Sequence, residues 1–394
     1  MLARLRSLDD EARFWLIVAA LSAAIAIPLV LAGPGTDLDV ANVFRSGRAI
    51  ARHLDYVPSR PPGSPVHEAI VGVLDLVGGP LLAALASVVA AAALVWALDR
   101  LLDDAGIGGS RRFGLTVLVA NPWFAIAATS AADYVFALLF VALGALALRN
   151  DRPLAAGVLL ALAMGSRIGS ATLLLGLLVA EVGEGSAGRR RIAKAAPVAV
   201  VGTLALFVPS MVAAGGLSFA QNDFSASSPL VQLGRALAKD LLLLGLPSAL
   251  LIVVTAIPAL VTALRSWPTS WLVRFAATGL VASQLLFLRF PWKMAHLLPS
   301  LLCLVLLLCV AVEERPKALI ALVALQVAFG LVRVDVLAPN QANEASGGRF
   351  RPSITSGPVL RDWQCRRDHP GVERGRQIEE VEPAWDCAAP YRDR

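Results

Sequence analysis

Two carboxylates, Asp37 and Asp39, follow the first long apolar run in the stretch GPGTDLDVANVFRSGRAIARHLDY. Two readings of them stand side by side. One is local: TDLD fits a loose capping box, with Thr36 as the cap and Asp39 three residues on. The other is chemical: a carboxylate at the mouth of a membrane-embedded cavity can take a proton from a hydroxyl as a general base. A second set follows in SRPPGSPVHE, which carries Arg60, His67 and Glu68 among prolines. Prolines fix the backbone, and Gly63 after Pro62 suits a tight turn. Such a segment holds its charged side chains in place, or is simply a stiff linker between two helices. Arg167 stands in AMGSRIGS between two short apolar runs, where a charge is costly without a partner unless it snorkels to the interface. Arg289, Lys293 and His296 lie in and around FPWKMAHLLP; Lys293 and His296, three apart, share a face if that stretch is helical. None of the four histidines has a partner at His-x-x-x-His spacing, so no tightly held, protein-ligated metal is expected.

Long apolar runs must position these residues. Of the 394 residues, 57% are hydrophobic and 16% charged, which is too little charge for the surface of a soluble chain of this size. The net charge of +6 comes from scattered arginines; nucleic-acid binding would want a continuous basic face. Crossing hydrocarbon takes about 20 apolar residues per helix. On that basis the sequence predicts an all-α polytopic membrane protein, with spans near 14–32, 78–98, 113–130, 132–149, 153–166, 168–182, 195–214, 241–264, 271–289, 294–312 and 318–336. The two short spans flanking Arg167 could also form one bent or re-entrant element. The first span lacks a small-residue cleavage pattern and is expected to be retained.

Basic residues concentrate on one side of this arrangement, including Arg100, Arg111, Arg112, Arg149, Arg152, Arg189, Arg190, Arg191 and Arg274. The positive-inside rule then puts the N-terminus in the cytoplasm and the segments 33–77 and 215–240 outside. From Asp39 onward, Val40, Val43, Phe44, Gly47, Ile50, Ala51 and Leu54 recur at helical spacing, with Arg45, Arg48 and Arg52 on another face. That pattern predicts a helix lying on the membrane with its apolar face toward lipid. The organisation expected is a membrane domain over 1–336 and a polar extracytoplasmic tail or small domain over 337–394. Cys365 and Cys387 in that tail suggest a disulfide.

An acid after the first span, an amphipathic helix and SRPPGSPVHE together resemble the first outer loop of GT-C superfamily glycosyltransferases. NPWF with ADYVFALLF, AMGSRIGSATLLLGLLVAE and FPWKMAHLLPSL resemble later elements of the same family in order and sidedness. The resemblance covers roughly residues 10–312 and implies a GT-C-like bundle of about eleven transmembrane helices. It implies a mannosyltransferase-like enzyme of the cell envelope that takes a sugar from a polyprenyl phosphate and gives it to a glycan, lipid or protein hydroxyl. Asp39 is then the first choice for the general base and Asp37 the second. Basic residues hold the departing phosphate: Arg60, Arg167, Arg289, Lys293 and His296, with His67 and Glu68 on the rim. No cofactor is implied; a loosely held divalent ion bridging Asp39 and the phosphate is left open. The rival reading is a transporter or flippase for an anionic substrate, which would be expected to show related halves and mid-span charges. A non-catalytic scaffold would leave the first-loop charges unexplained.

Overall fold

A computed structural model describes residues 10–216, 229–255, 257–291, 293–313, 316–337, 351–368 and 370–371. It is a bundle of helices. In hydrocarbon the backbone must satisfy its own hydrogen bonds, and the helix does so within one segment. The elements are α1 (Asp10–Ala32), α2 (Leu38–His53), α3 (Pro65–Asp104), α4 (Arg111–Ala120), α5 (Pro122–Ala128), α6 (Tyr134–Arg149), α7 (Pro153–Ser166), α8 (Ala171–Val182) and α9 (Gly185–Ala213). They continue with α10 (Pro229–Leu244), α11 (Leu246–Thr255), α12 (Ile257–Leu264), α13 (Trp271–Arg289), α14 (Leu298–Ala311), α15 (Pro316–Leu331) and α16 (Pro358–Asp368). Between α15 and α16 lies an antiparallel ribbon, β1 (Val332–Leu337) with β2 (Arg351–Ser356), in which Val332 faces Ser356.

Every predicted span falls mainly on helix, but several are broken, and the last, 318–336, runs on into β1. Among the described residues five helices are long and apolar enough to cross a membrane, or six if the bent pair α10 and α11 counts as one. Physical causes account for the breaks. In α3, Gly78 and Gly79 leave helical geometry just before Pro80, and Gly79 sits at φ 70°; proline removes a donor there and glycine accepts the left-handed turn. Helix already begins at Pro65, ahead of the span predicted from residue 78, and the bend falls at that span's start. The third predicted span breaks at Asn121, whose side chain caps α5 by accepting from the amides of Trp123 and Phe124. The same side chain donates to Leu243 O and Gln326 Oε1, each at 2.8 Å. Gln326 in turn donates to Leu244 O and Ser248 Oγ. This buried, satisfied polar node locks α5, α10, α11 and α15 together.

The charged groups sort to two ends of the bundle. At one end Arg111 pairs with Asp99 and Glu11, each at 2.9 Å, and with Asp103. Arg149 pairs with Asp104, Arg191 with Glu181, and Arg274 with Glu184 at the same end. The candidate residues gather at the other end. There α16 packs on α1, α5 and α15. Gly357 makes that crossing: a Cβ on it would lie 2.6 Å from Gly330 O.

Candidate functional site

The site is built on α2. Its N-cap is Asp37, whose Oδ1 accepts from the Asp39 amide at 2.9 Å. Thr36, predicted as the cap, instead donates its hydroxyl to Asp362 Oδ1 at 3.3 Å. The apolar face of α2 corrects a second expectation. Val40, Val43 and Phe44 are buried in the protein core and do not face lipid. The helix reaches that core because Gly47 touches Gly72: a Cβ on Gly47 would stand 2.7 Å from the Gly72 amide nitrogen. On another face of the helix Arg48 pairs with Asp75 at 2.7 Å.

With α2 pinned to α3, its first turn points into a chain of alternating charges. Lys293 Nζ lies 2.7 Å from Asp37 Oδ1 and 2.8 Å from Asp39 Oδ2. Arg60 Nη1 lies 3.0 Å from Asp39 Oδ2, and Arg60 Nη2 pairs with Asp133. Arg167 Nη1 donates to both oxygens of Asp133, at 3.1 and 3.2 Å. Ser64 Oγ donates to Asp133 Oδ2 at 3.2 Å and accepts from Arg60 Nη2 at the same distance. The Arg167 guanidinium lies over the Tyr134 ring, 3.9 Å from its centroid. Asp133 is 1% exposed, whereas Arg60, Arg167 and Lys293 keep 24%, 17% and 28% of their side-chain surface. The cations thus stay partly exposed, while the carboxylate between the two arginines is buried.

Burial alone would push the carboxyls up. Arg60 and Lys293 outweigh it at Asp39, which is held well below the usual carboxylate range. Lys293 is raised, because Asp37 and Asp39 outweigh its own burial. Asp39 and Lys293 are therefore both charged near neutral pH.

Of SRPPGSPVHE, only Arg60 and Ser64 join the cluster. Glu68 is buried and its Oε1 accepts from the Ser59 and Ser64 amides, at 2.9 and 3.1 Å. The carboxylate thus folds the loop onto itself, which fixes Arg60 and Ser64. Gly63 adopts φ 91°, and a Cβ on it would overlap Tyr56 Oη. His67 is buried, with Nε2 3.2 Å from Ala131 O and its ring 5.0 Å from that of Phe136. Lys293 is extended and precedes a 3-10 turn, Met294–Leu297. The shared helix face predicted for Lys293 and His296 is therefore absent, because Lys293 lies outside the helical turn. His296 Nδ1 lies 3.3 Å from Phe290 O, and its ring centroid is 6.3 Å from that of Tyr134. Lys239 braces this segment by donating to Pro291 O at 2.9 Å. Arg289 is exposed, with its guanidinium 4.9 Å from the Phe290 ring centroid; no ion pair joins it to the cluster among the described residues.

Asp133, Ser64 and Tyr134 belong to the cluster but escaped the sequence reading. Asp133 had a legible signal: a lone acid between two apolar runs, in SAADYVFALLF, needs a buried partner. Cys365 is buried on α16, and Cys387 lies outside the described residues. Among the described residues no three His, Cys, Asp or Glu side chains converge as metal ligands would.

This architecture has solved counterparts. ArnT from Cupriavidus metallidurans bound to undecaprenyl phosphate superposes with a TM-score of 0.57 at 18% identity, over 76% of this chain and 60% of that one. The apo form of ArnT matches with the same TM-score and identity, over 79% and 63%. The fold is GT-C-like. Together with the apolar helices, it makes the chain an integral membrane protein. The chain spans about three-fifths of the length of ArnT. No family model matches the sequence, and no curated protein does.

Proposed function

We propose that the chain transfers a sugar from a polyprenyl phosphate to an acceptor hydroxyl at the outer face of the membrane, with Asp39 as the general base. The observation that carries this reading is the row of three partly exposed cations, Lys293, Arg60 and Arg167, beside a pinned Asp39. The GT-C-like fold supports it, as does the undecaprenyl phosphate bound to the structurally similar ArnT. The concentration of Arg111, Arg149, Arg191 and Arg274 at the opposite end of the bundle supports a cytoplasmic N-terminus and an extracytoplasmic site.

The step needs little acid help, because the leaving group is a phosphate. The acceptor oxygen forms a bond to the anomeric carbon, the bond from that carbon to the phosphate oxygen breaks, and the acceptor proton passes to Asp39. The donor is a phosphodiester; the released lipid phosphate carries more negative charge. Fixed cations beside it therefore bind the transition state more tightly than the donor, which is the differential binding that accelerates a reaction. The ion pairs around Asp39 also set an order of events. While Arg60 and Lys293 hold Asp39, its low basicity makes it a poor proton acceptor. A phosphate that draws those cations toward itself leaves Asp39 less neutralised and more basic, so donor binding activates the base.

The test is a transfer assay in lipid nanodiscs with radiolabelled polyprenyl-phosphate mannose, glucose and arabinose in turn. Label moving from lipid phosphate to a glycan, lipid or protein acceptor supports the proposal. Failure to turn over any of these donors, together with movement of a labelled anion across a sealed bilayer, would favour a transporter.

A further inference from the structure

The cluster draws its carboxylates from two chain segments that each leave the C-terminal end of a helix. Asp37 and Asp39 follow α1 through Gly33–Thr36, and Asp133 follows α5 through Thr129–Ala132. The segments touch: the Ala131 amide donates to Pro34 O at 2.8 Å. Their approach is close enough that a Cβ on Gly35 would stand 2.9 Å from Ser130 Oγ. A helix C-terminus leaves carbonyls without partners and concentrates negative dipole there. Two such ends converging in a buried place need a shared donor with positive charge.

Arg366, on α16, is that donor. It is 1% exposed, the largest fully buried side chain of the described residues. Its Nη1 donates to Leu29 O at 3.2 Å, Gly33 O at 2.9 Å and Thr129 O at 2.9 Å. Its Nη2 donates to Ile126 O at 3.4 Å, Thr129 Oγ1 at 3.2 Å and Ser130 Oγ at 2.9 Å. Its Nε pairs with Asp362 Oδ2 at 2.7 Å, and Asp362 Oδ1 accepts from Thr36, the residue before Asp37. One guanidinium from the polar tail therefore caps α1 and α5 together and reaches both acid-bearing segments. Lysine, with one point charge and three donors, cannot span these acceptors in the fixed planar fork of arginine.

We infer that Arg366 is a positioning residue of the site: through α16, the tail sets the spacing between the Asp37–Asp39 turn and Asp133, and hence the place of the base relative to the cations. This rests on the function proposed above. The tail is then a working part of the membrane domain's active site, although it lies outside the bundle in sequence.

The test combines two readouts on the full chain in nanodiscs, for Arg366→Lys, Arg366→Ala and the neighbouring control Arg367→Ala, whose side chain is 58% exposed. Hydrogen exchange is followed at the amides of Asp39, Val40 and Ala131, which bond to Asp37 Oδ1, Asp37 O and Pro34 O, with 171–182 as the internal reference. Transfer kinetics are measured with whichever labelled polyprenyl-phosphate sugar the wild type turns over. Arg366→Lys is expected to speed exchange at the three amides and not in the reference. It is also expected to lower kcat by about 10²-fold, the loss typical of a misplacement near 1 Å, while donor KM stays within about twofold. Arg367→Ala is expected to change neither. Should Arg366→Ala fail to fold, the lysine variant still decides. Unchanged exchange overturns the inference, and so does faster exchange with unchanged kcat. If the wild type turns over none of the donors, the proposed function fails by itself, and the exchange result alone then decides whether Arg366 sets the two segments.

Discussion

Arg60 joins Asp39 to Asp133: one guanidinium nitrogen lies 3.0 Å from Asp39 Oδ2 and the other pairs with the carboxylate of Asp133. A loop residue thereby links the first turn of α2 to the start of α6. Replacing Arg60 removes this link and one of the three cations together. Arg60→Ala is expected to abolish measurable transfer, whereas Arg60→Lys keeps one charge and loses the second ion pair. Transfer by the lysine variant is expected to fall about 10²-fold, measured as kcat/KM with a labelled lipid-phosphate sugar.

Asp133 is the most buried acid of the site, and its removal leaves Arg60 and Arg167 facing each other. Asp133→Ala is expected to destabilise the protein by about 3 kcal/mol, the lower end for a buried pair that loses one partner. Asp133→Asn keeps hydrogen-bonding oxygen and is expected to be milder. Thermal unfolding in detergent, read against Arg289→Ala as a substitution outside the cluster, measures both.

The close approach of α2 and α3 gives a prediction about geometry alone. Gly72→Ala puts a methyl into the Gly47 carbonyl, while Gly108→Ala meets nothing within 4 Å. The first is expected to lift α2 from α3, lowering thermal stability by about 1–3 kcal/mol and transfer with it; the second is expected to leave both unchanged. Equal melting temperatures for the two variants would contradict the packing described here.

Ion pairing also fixes the sign of the acid limb. Asp39 is held below its ordinary range by Arg60 and Lys293, so it stays ionised as pH falls from neutrality. The profile of kcat/KM, which reports the free enzyme, is expected to stay flat down to about pH 5. In Lys293→Met the Asp39 carboxylate loses one of its two cations, and the acid limb is expected to move upward. An acid limb already centred near pH 6 in the wild type would contradict the pairing.

The helices were legible because apolar runs near span length leave few alternatives, and each predicted span falls mainly on helix, the last one running on into β1. Breaks were less legible. Asn121 interrupts a run that reads as continuous, and its reason to do so is tertiary: its partners come from α10 and α15. The periodicity of α2 was correct, but an apolar stripe does not say whether lipid or protein covers it; the Gly47–Gly72 contact decides, and it joins residues far apart in sequence. In the site, Asp39, Arg60, Arg167 and Lys293 stood out by charge at span ends. Asp133 was hidden inside a motif read for its apolar residues. Arg366 sits in a tail whose composition resembles exposed chain, and nothing local marks one of its arginines as buried.

The most direct test of the central claim is single-turnover transfer by Asp39→Asn, with donor binding and melting temperature measured on the same preparation. The expected result is a rate lower by about 10²–10⁴-fold, the usual contribution of a general base, with the labelled lipid-phosphate sugar still bound and the fold intact. Transfer at the wild-type rate by folded Asp39→Asn would contradict it and move the proton to another group.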